Sequence, residues 1–201
     1  MTKRMGLSMA AAAALFTAAC GAPELPKLSE VQLDPARQAL ALQEVQIKHA
    51  RGIRVWCVPF ARDASGIQIR GNANTWWGQA AGLYDRGKEP SVGAVMTWKA
   101  TGRNPRGHVA VVSEIVSDRE IRVDHANWKR NQVSLGMSVI DISPANDWSQ
   151  VKLESSPGQY GRMYPIRGFI YPNNEPIEPA EVIEAEAPTV PLLGRLFQKK
   201  S

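Results

Sequence analysis

A cysteine, two histidines and an asparagine carry the side chains in this sequence that can do covalent and proton-transfer chemistry together. Cys57 stands in Ile53-Arg-Val-Trp-Cys-Val-Pro-Phe-Ala-Arg62, where a short apolar run meets a helix start. His108 heads the strand-like run Gly107-His-Val-Ala-Val-Val112, and His125 and Asn127 fall in Ile121-Arg-Val-Asp-His-Ala-Asn-Trp128. Amide hydrolysis by a thiol needs a thiolate, a base that carries its proton and a group that orients the base. Cys57 on a helix start facing His108 on a strand meets the first two needs. Side chains alternate along a strand, so His125 and Asn127 share one face while Asp124 and Ala126 take the other. We expect His125 as the third member, with Asn127 and Asp124 as neighbouring polar support.

Each residue has a plainer use. A single cysteine is by default a small buried hydrophobe, and either histidine can simply fill a polar slot. The element types and their order favour catalysis when the residues are taken together. Zinc binding is the other use of one Cys with two His. It lacks a fourth ligand unless Asp124 turns inward, so no metal or other cofactor is expected.

The chain has 201 residues, 44% of them hydrophobic, which suits one domain with extensions. Its formal charge is +5, a mild balance that suits acidic partners. No Lys/Arg run stands beside an aromatic platform, so nucleic acid is not an expected partner. Residues 1–19 read as a signal peptide: Lys3 and Arg4 form a basic start, and Met9–Ala19 is an apolar stretch too short to span a bilayer. Thr17-Ala18-Ala19-Cys20 resembles a bacterial lipoprotein cleavage box, with Thr17 where a larger aliphatic residue is usual. Cys20 is thus a candidate lipidation site, and ordinary signal-peptidase cleavage is the competing reading. Cys20 and Cys57 are the only cysteines. They would pair in an oxidising compartment, but cleavage or lipidation at Cys20 leaves Cys57 as a lone thiol, which calls for an explanation such as catalysis.

The elements that must position these groups follow in order. Residues 20–34 form a tether. Asp34-Pro35 starts a helix through Ala50, since Asp caps well and Pro fits the first helical position. Gly52 stops it, and His49 near its end complements the helix dipole. Cys57 to about Ser65 is the next helix, with Pro59 in its first turn. Cys57 therefore lies near an N-terminus whose N–H groups favour a thiolate. Ala73–Tyr84 carries Trp76 and Trp77 at helical spacing, as core or groove-wall residues. After Pro90 the pattern turns extended, with strands expected at Gly93–Trp98, His108–Ile115, Arg119–His125, Gln132–Ile140 and Arg167–Tyr171. Asn104-Pro-Arg-Gly107 is a turn. Helices followed by an antiparallel meander indicate an α+β domain over residues 35–172. Residues 173–201 read as a disordered Pro/Glu-rich linker and a basic tail.

Cys57-Val-Pro-Phe-Ala-Arg, Gly71-Asn-Ala-Asn-Thr-Trp-Trp, Gly93-Ala-Val, Gly107-His-Val-Ala-Val-Val and Asp124-His-Ala-Asn-Trp together resemble a CHAP domain, a cysteine- and histidine-dependent amidohydrolase/peptidase. The resemblance covers roughly Arg51–Pro172. It implies a papain-like fold, with N-terminal helices packed on an antiparallel sheet of about six strands, acting on peptidoglycan. By position it makes Cys57 the nucleophile, His108 the general base and acid, and His125 the third catalytic residue. Many relatives carry Gln immediately before the cysteine, where this chain has Trp56. Some relatives also carry an Asp-rich calcium loop there, and His49-Ala-Arg-Gly-Ile-Arg54 has no carboxylate to match it. Trp56, Trp76, Trp77 and Trp128 are groove candidates.

The expected protein is a monomeric, exported peptidoglycan amidase or endopeptidase, periplasmic or attached to the outer membrane through an N-terminal lipid. Two alternatives use the same fold. One is a non-catalytic envelope protein that binds wall peptides or a division partner through the same groove. The other, weaker one is a protein-directed cysteine peptidase or transferase.

Overall fold

Asp34 does what its position before Pro35 implies. Its Oδ1 accepts from the backbone N–H groups of Ala36 at 2.9 Å and Arg37 at 3.4 Å, starting helix α1 (Pro35–Ala50). Lys48 and His49 occupy the last turn, and Gly52 takes a positive φ of 66° just beyond it. Helix α2 (Cys57–Ser65) begins without a side-chain cap and ends at Gly66, which is left-handed at φ 80°. Pro59 falls in its first turn, where a missing N–H is harmless. Phe60, Ala61 and Ala64 turn the buried face of α2 inward. These features are seen in a computed structural model that describes residues 33–173. The signal-peptide reading, Cys20, and nearly all of the tether and tail lie outside the described residues.

The third helix, α3 (Ala73–Gln79), is shorter than the expected Ala73–Tyr84. The chain leaves it through turns, with Gly82 at φ 75°. A two-residue strand β1 (Arg86–Gly87) follows, then β2 (Val95–Trp98), β3 (Val109–Ser117), β4 (Glu120–Ala126), β5 (Val133–Asp141), β6 (Gln150–Ser156) and β7 (Gln159–Ile170). All pairings are antiparallel, in the order β1-β7-β2-β3-β4-β5-β6, and β6 also pairs with β7. Strands β2 to β7 therefore close into a six-stranded barrel, preceded in the chain by the three helices. The architecture is α+β.

Two apolar clusters share the strands between them. Met96, Trp98, Ala110, Val112, Ile121, Val123, Trp148, Val151, Leu153, Ile166 and Phe169 fill the barrel. Val95, Val109, Val111 and Ala126, on the opposite faces of the same strands, pack with Phe60, Ala61, Ala64 and Trp76 of the helices. Strand β2 is buried along its whole length for this reason.

Long strand β7 closes the barrel by changing partners. Its first half pairs with β6 up to Pro165, and Ile166–Ile170 pairs with β2. At Gly168, with φ 143°, a Cβ would collide with the backbone of Gly87 and the ring of Trp77. Only glycine fits that corner.

The turn before β3 sets where His108 begins. Gly107 N–H donates to Asn104 O at 3.1 Å, and Asn74 N–H at the start of α3 donates to Arg106 O at 2.8 Å. Gly107 has φ 66°, and a Cβ there would lie 3.0 Å from the backbone nitrogen of Asn74. We therefore expect Gly107→Ala to destabilise the fold by about 1–3 kcal/mol. Urea unfolding would show this as a lowered midpoint at unchanged slope. An unchanged midpoint would refute the steric account of this turn.

Candidate functional site

Antiparallel pairing of β3 with β4 sets Val111 opposite Asp124 and Val112 opposite Val123. This pairing brings together two imidazoles that are 17 residues apart. His108 Nε2 lies 3.0 Å from His125 Nδ1 in a buried hydrogen bond. Around them stands an aromatic wall: Trp98 meets His108 edge-on at 5.2 Å, and Trp128 stacks on His125 at 5.6 Å and meets His108 at 5.0 Å. Tyr164 backs Trp128 at 5.1 Å. His108 is 5% exposed and His125 is fully buried.

Cys57, at the first position of α2, packs beside the apolar cluster under the helices. It lines a cavity of about 740 Å³ together with His108, Trp56, Asn127, Trp128 and Tyr164. No side chain precedes it as a cap, since Trp56 holds an extended backbone there and is 42% exposed. The cysteine and His108 thus reach one cavity from a helix start and a strand start, and His125 stands behind His108.

The remaining sequence-picked residues fall in two groups. Trp56 and Trp128 line the cavity. Trp76 is wholly buried in the helix-side core. Trp77 packs on that core beneath Arg86, whose guanidinium lies 4.9 Å from the ring, so neither is a cavity-wall residue. The strand alternation assigned to Asn127 does not hold. Strand β4 ends at Ala126, and Asn127 turns left-handed at φ 63°, a conformation asparagine tolerates better than most residues. Its Oδ1 accepts from Arg54 Nε at 3.1 Å, Arg54 Nη2 at 3.0 Å and Asn131 N–H at 2.9 Å. Asn127 therefore anchors the cavity rim, and its side-chain hydrogen bonds go to Arg54 and Asn131 rather than to His108. Asp124 faces away from the histidine pair. Its carboxylate accepts from Gln38 Nε2 at 2.7 Å and Gly136 N–H at 2.7 Å, tying α1 to the sheet. His49, expected only to complement the helix dipole, also places Nε2 3.1 Å from Asn131 O.

Arg54, Trp98, Arg162 and Tyr164 were not read from the sequence as site residues. Arg54 clamps Asn127 and lies 4.1 Å from the centre of the Trp56 ring. Arg162 lies 5.0 Å from the ring of Tyr164. Only the Arg-x-Trp spacing of Arg54 and Trp56 offered a signal, because alternate residues of an extended segment share a face. Among the described residues, no group of three or more His, Cys, Asp or Glu is arranged to hold a metal ion.

Burial dominates the electrostatics. It pushes the Cys57 thiol up, against the N–H groups of Val109, Val58 and Cys57, which pull it down. The helix start does present N–H groups to the sulfur, as the sequence implies, but desolvation outweighs them. The resting group is therefore a thiol rather than the expected thiolate. Burial, then the neighbouring His125, holds His108 well below the usual histidine range. Burial lowers His125 to about 3. Both imidazoles are neutral near neutral pH.

One proton then lies between His108 Nε2 and His125 Nδ1. If His108 supplies it, Nδ1 of His108 is bare and able to accept a proton. His125 then carries its own proton on Nε2, a buried atom with no hydrogen-bond partner. If His125 supplies it, His108 Nδ1 is protonated and cannot act as a base. Protonation of His108 enforces the first arrangement, because both of its nitrogens then donate.

A histidine whose folded pKa is depressed adds stability that is present above its unfolded pKa, about 6.5, and is lost as pH falls towards the folded value. Each of the two therefore erodes stability by up to about 1.4 kcal/mol per pH unit below that point. Urea midpoints should fall as pH drops from neutral to about 4, and His125→Gln should fall less steeply. Parallel slopes for the two proteins would contradict the buried neutral state of His125.

The family model described as CHAP domain matches residues 49–127, a span that holds Cys57, His108 and His125 and ends at Asn127. Comparison with curated proteins gives no match. The model covers the helix bearing the cysteine, the turn that starts β3 and the strand bearing His125, which are the parts that assemble the cavity. Over residues 49–127 this chain is similar to the CHAP domain, the mark of a family of amidase and peptidase hydrolases associated with peptidoglycan.

Proposed function

We propose that this chain is an exported cysteine hydrolase that cleaves an amide bond of peptidoglycan, with Cys57, His108 and His125 as its catalytic group in a papain-like arrangement. The bond is either the link between muramic acid and alanine or one within the stem peptide. The observation that carries the reading is the His108–His125 hydrogen bond at 3.0 Å, formed at the wall of the cavity that Cys57 also lines.

The chemistry follows from the proton positions. As the substrate carbonyl reaches Cys57, the thiol proton passes to Nδ1 of His108 and the sulfur bonds to the carbonyl carbon. The oxyanion lies over the backbone N–H of Cys57, and Trp56 stands where many relatives carry a glutamine amide. Nδ1–H then protonates the leaving amine, the C–N bond breaks and a thioester remains. His108 next takes a proton from water, the hydroxide adds, and the acid leaves as the thiol reforms. His125 accepts from His108 Nε2 throughout, which keeps the ring oriented and offsets part of the imidazolium charge.

In this proposal residues 1–19 direct export, residues 35–172 form the catalytic domain and Cys20 carries a lipid. The protein acts as a monomer in the periplasm or at the outer membrane. The burial that raises the Cys57 thiol favours one second reading. A thiol held protonated beside Trp56, where many relatives carry glutamine, also suits a groove that binds wall peptides without cutting them.

Mass spectrometry of purified sacculi incubated with the protein separates the two. The hydrolase reading expects new fragments from wild type and none from Cys57→Ala, and the new ends name the bond. His125→Ala should lower the rate by about 10²–10⁴-fold while sacculus binding is retained. Equal pull-down by wild type and Cys57→Ala, with no fragments from either, would transfer the assignment to the binding reading.

A further inference from the structure

The cavity that holds the proposed reacting groups has a lining charged with one sign only. Arg54, Arg62, Arg70, Arg106 and Arg162 all line it, and no Asp or Glu does. They come from five separate places: the loop before α2, helix α2, the loop between α2 and α3, the turn before β3, and strand β7. Arg62 faces the neighbouring Asp63 at 3.9 Å, and Arg54 is engaged by Asn127 and Trp56. Arg70, Arg106 and Arg162 are exposed and have no carboxylate partner among the described residues.

Such a cluster costs the empty protein self-repulsion, which a ligand of opposite charge relieves. All the cations in the lining are arginine and none is lysine. A guanidinium offers a planar fork that matches a carboxylate with two parallel hydrogen bonds, whereas an ammonium acts as a point charge. Low dielectric walls of Trp56, Trp128 and Tyr164 strengthen such pairs relative to open water.

We infer that this cavity selects a peptide bearing free carboxylates close to the scissile amide, with Arg70, Arg106 and Arg162 as the specificity-determining residues that pair with them. The inference rests on the hydrolase reading for its choice of a peptide, because a thiol and imidazole need an amide brought to them. Nucleic acids and polyphosphates offer no such bond. Amidation of the same carboxylates would remove the charge while keeping the shape, leaving the guanidiniums without partners in the bound state.

The test uses the full chain and two synthetic peptides, alanyl-γ-D-glutamyl-lysyl-D-alanine and its counterpart with both carboxylates converted to carboxamides. Binding is measured by calorimetry on Cys57→Ala, so affinity is read without turnover. The acidic peptide should bind about tenfold more tightly than the amide form, consistent with one or two charge-assisted hydrogen bonds. That margin should shrink as salt is raised. Added to Cys57→Ala, Arg70→Gln and Arg106→Gln should each weaken binding of the acidic peptide about threefold and leave binding of the amide form nearly unchanged.

Equal affinities for the two peptides overturn the inference, even if wild type cuts both and the hydrolase reading stands. Discrimination by Cys57→Ala, with no fragments from sacculi incubated with wild type, sustains the carboxylate selection while removing the hydrolase reading. A single-stranded oligonucleotide of matching charge that binds as tightly as the acidic peptide also overturns it, since the site would then read charge alone.

Discussion

Everything at the candidate site depends on one buried hydrogen bond between two neutral rings. A lone buried imidazole pays to leave water and gains little unless its nitrogens find partners. His108 and His125 supply one another with a single partner at 3.0 Å, and Trp98 and Trp128 cover the faces and edges that remain. The bond exists because β3 and β4 pair in a register that sets Val111 opposite Asp124. That register is held from both sides, by the barrel interior through Val112 and Val123 and by the helix-side core through Val111 and Ala126. Slipping a strand by one residue would expose both sets and part the histidines.

The same burial that holds the two imidazoles neutral also holds the Cys57 thiol protonated. Cys57 sits where backbone N–H groups of α2 and β3 converge, an environment that ordinarily favours a thiolate. Its packing against the helix-side core tips the balance the other way. The thiol and the imidazole therefore rest uncharged, and in the proposed reaction charge appears only as the proton moves. An uncharged third residue fits this balance. A carboxylate in place of His125 would raise the basicity of His108 and favour a standing ion pair. The cost is a weaker hold on the imidazolium once it forms. Around this uncharged centre lies a rim of guanidiniums, so the charged groups and the Cys57–His108 centre are separate parts of one cavity.

Much of this was legible in the chain itself. Asp34-Pro35, Gly52 and Gly66 bound the first two helices, because caps and left-handed glycines act locally. Strands β2 to β5 fall where extended, β-branched runs stand between turn residues. Strand β6 was passed over although Val151 and Leu153 alternate with Lys152 and Glu154. The run is short, and five of its seven residues are polar. Only barrel closure makes its inward residues core. Strand β7 was read as little more than its last residues because Gly161, Pro165 and Gly168 look like breakers. In the fold Pro165 and Gly168 flank the corner where the strand passes from β6 to β2, and Gly161 lies at a bulge in its pairing with β6. The site shows the same division. The histidine pair follows from strand pairing, a local periodicity. The clamp of Arg54 on Asn127 and the inward burial of Trp76 depend on tertiary contacts that no spacing encodes.

The central claim is that His125 acts as a neutral acceptor and leaves His108 with a bare Nδ1 aimed at catalysis. Nitrogen-15 NMR of the imidazoles in the full chain near neutral pH tests it directly. The account predicts a protonated Nε2 and an unprotonated Nδ1 on both His108 and His125, with the shared proton assigned to His108 by its coupling. A proton on Nδ1 of His108, with His125 Nδ1 as the donor between the rings, would contradict it.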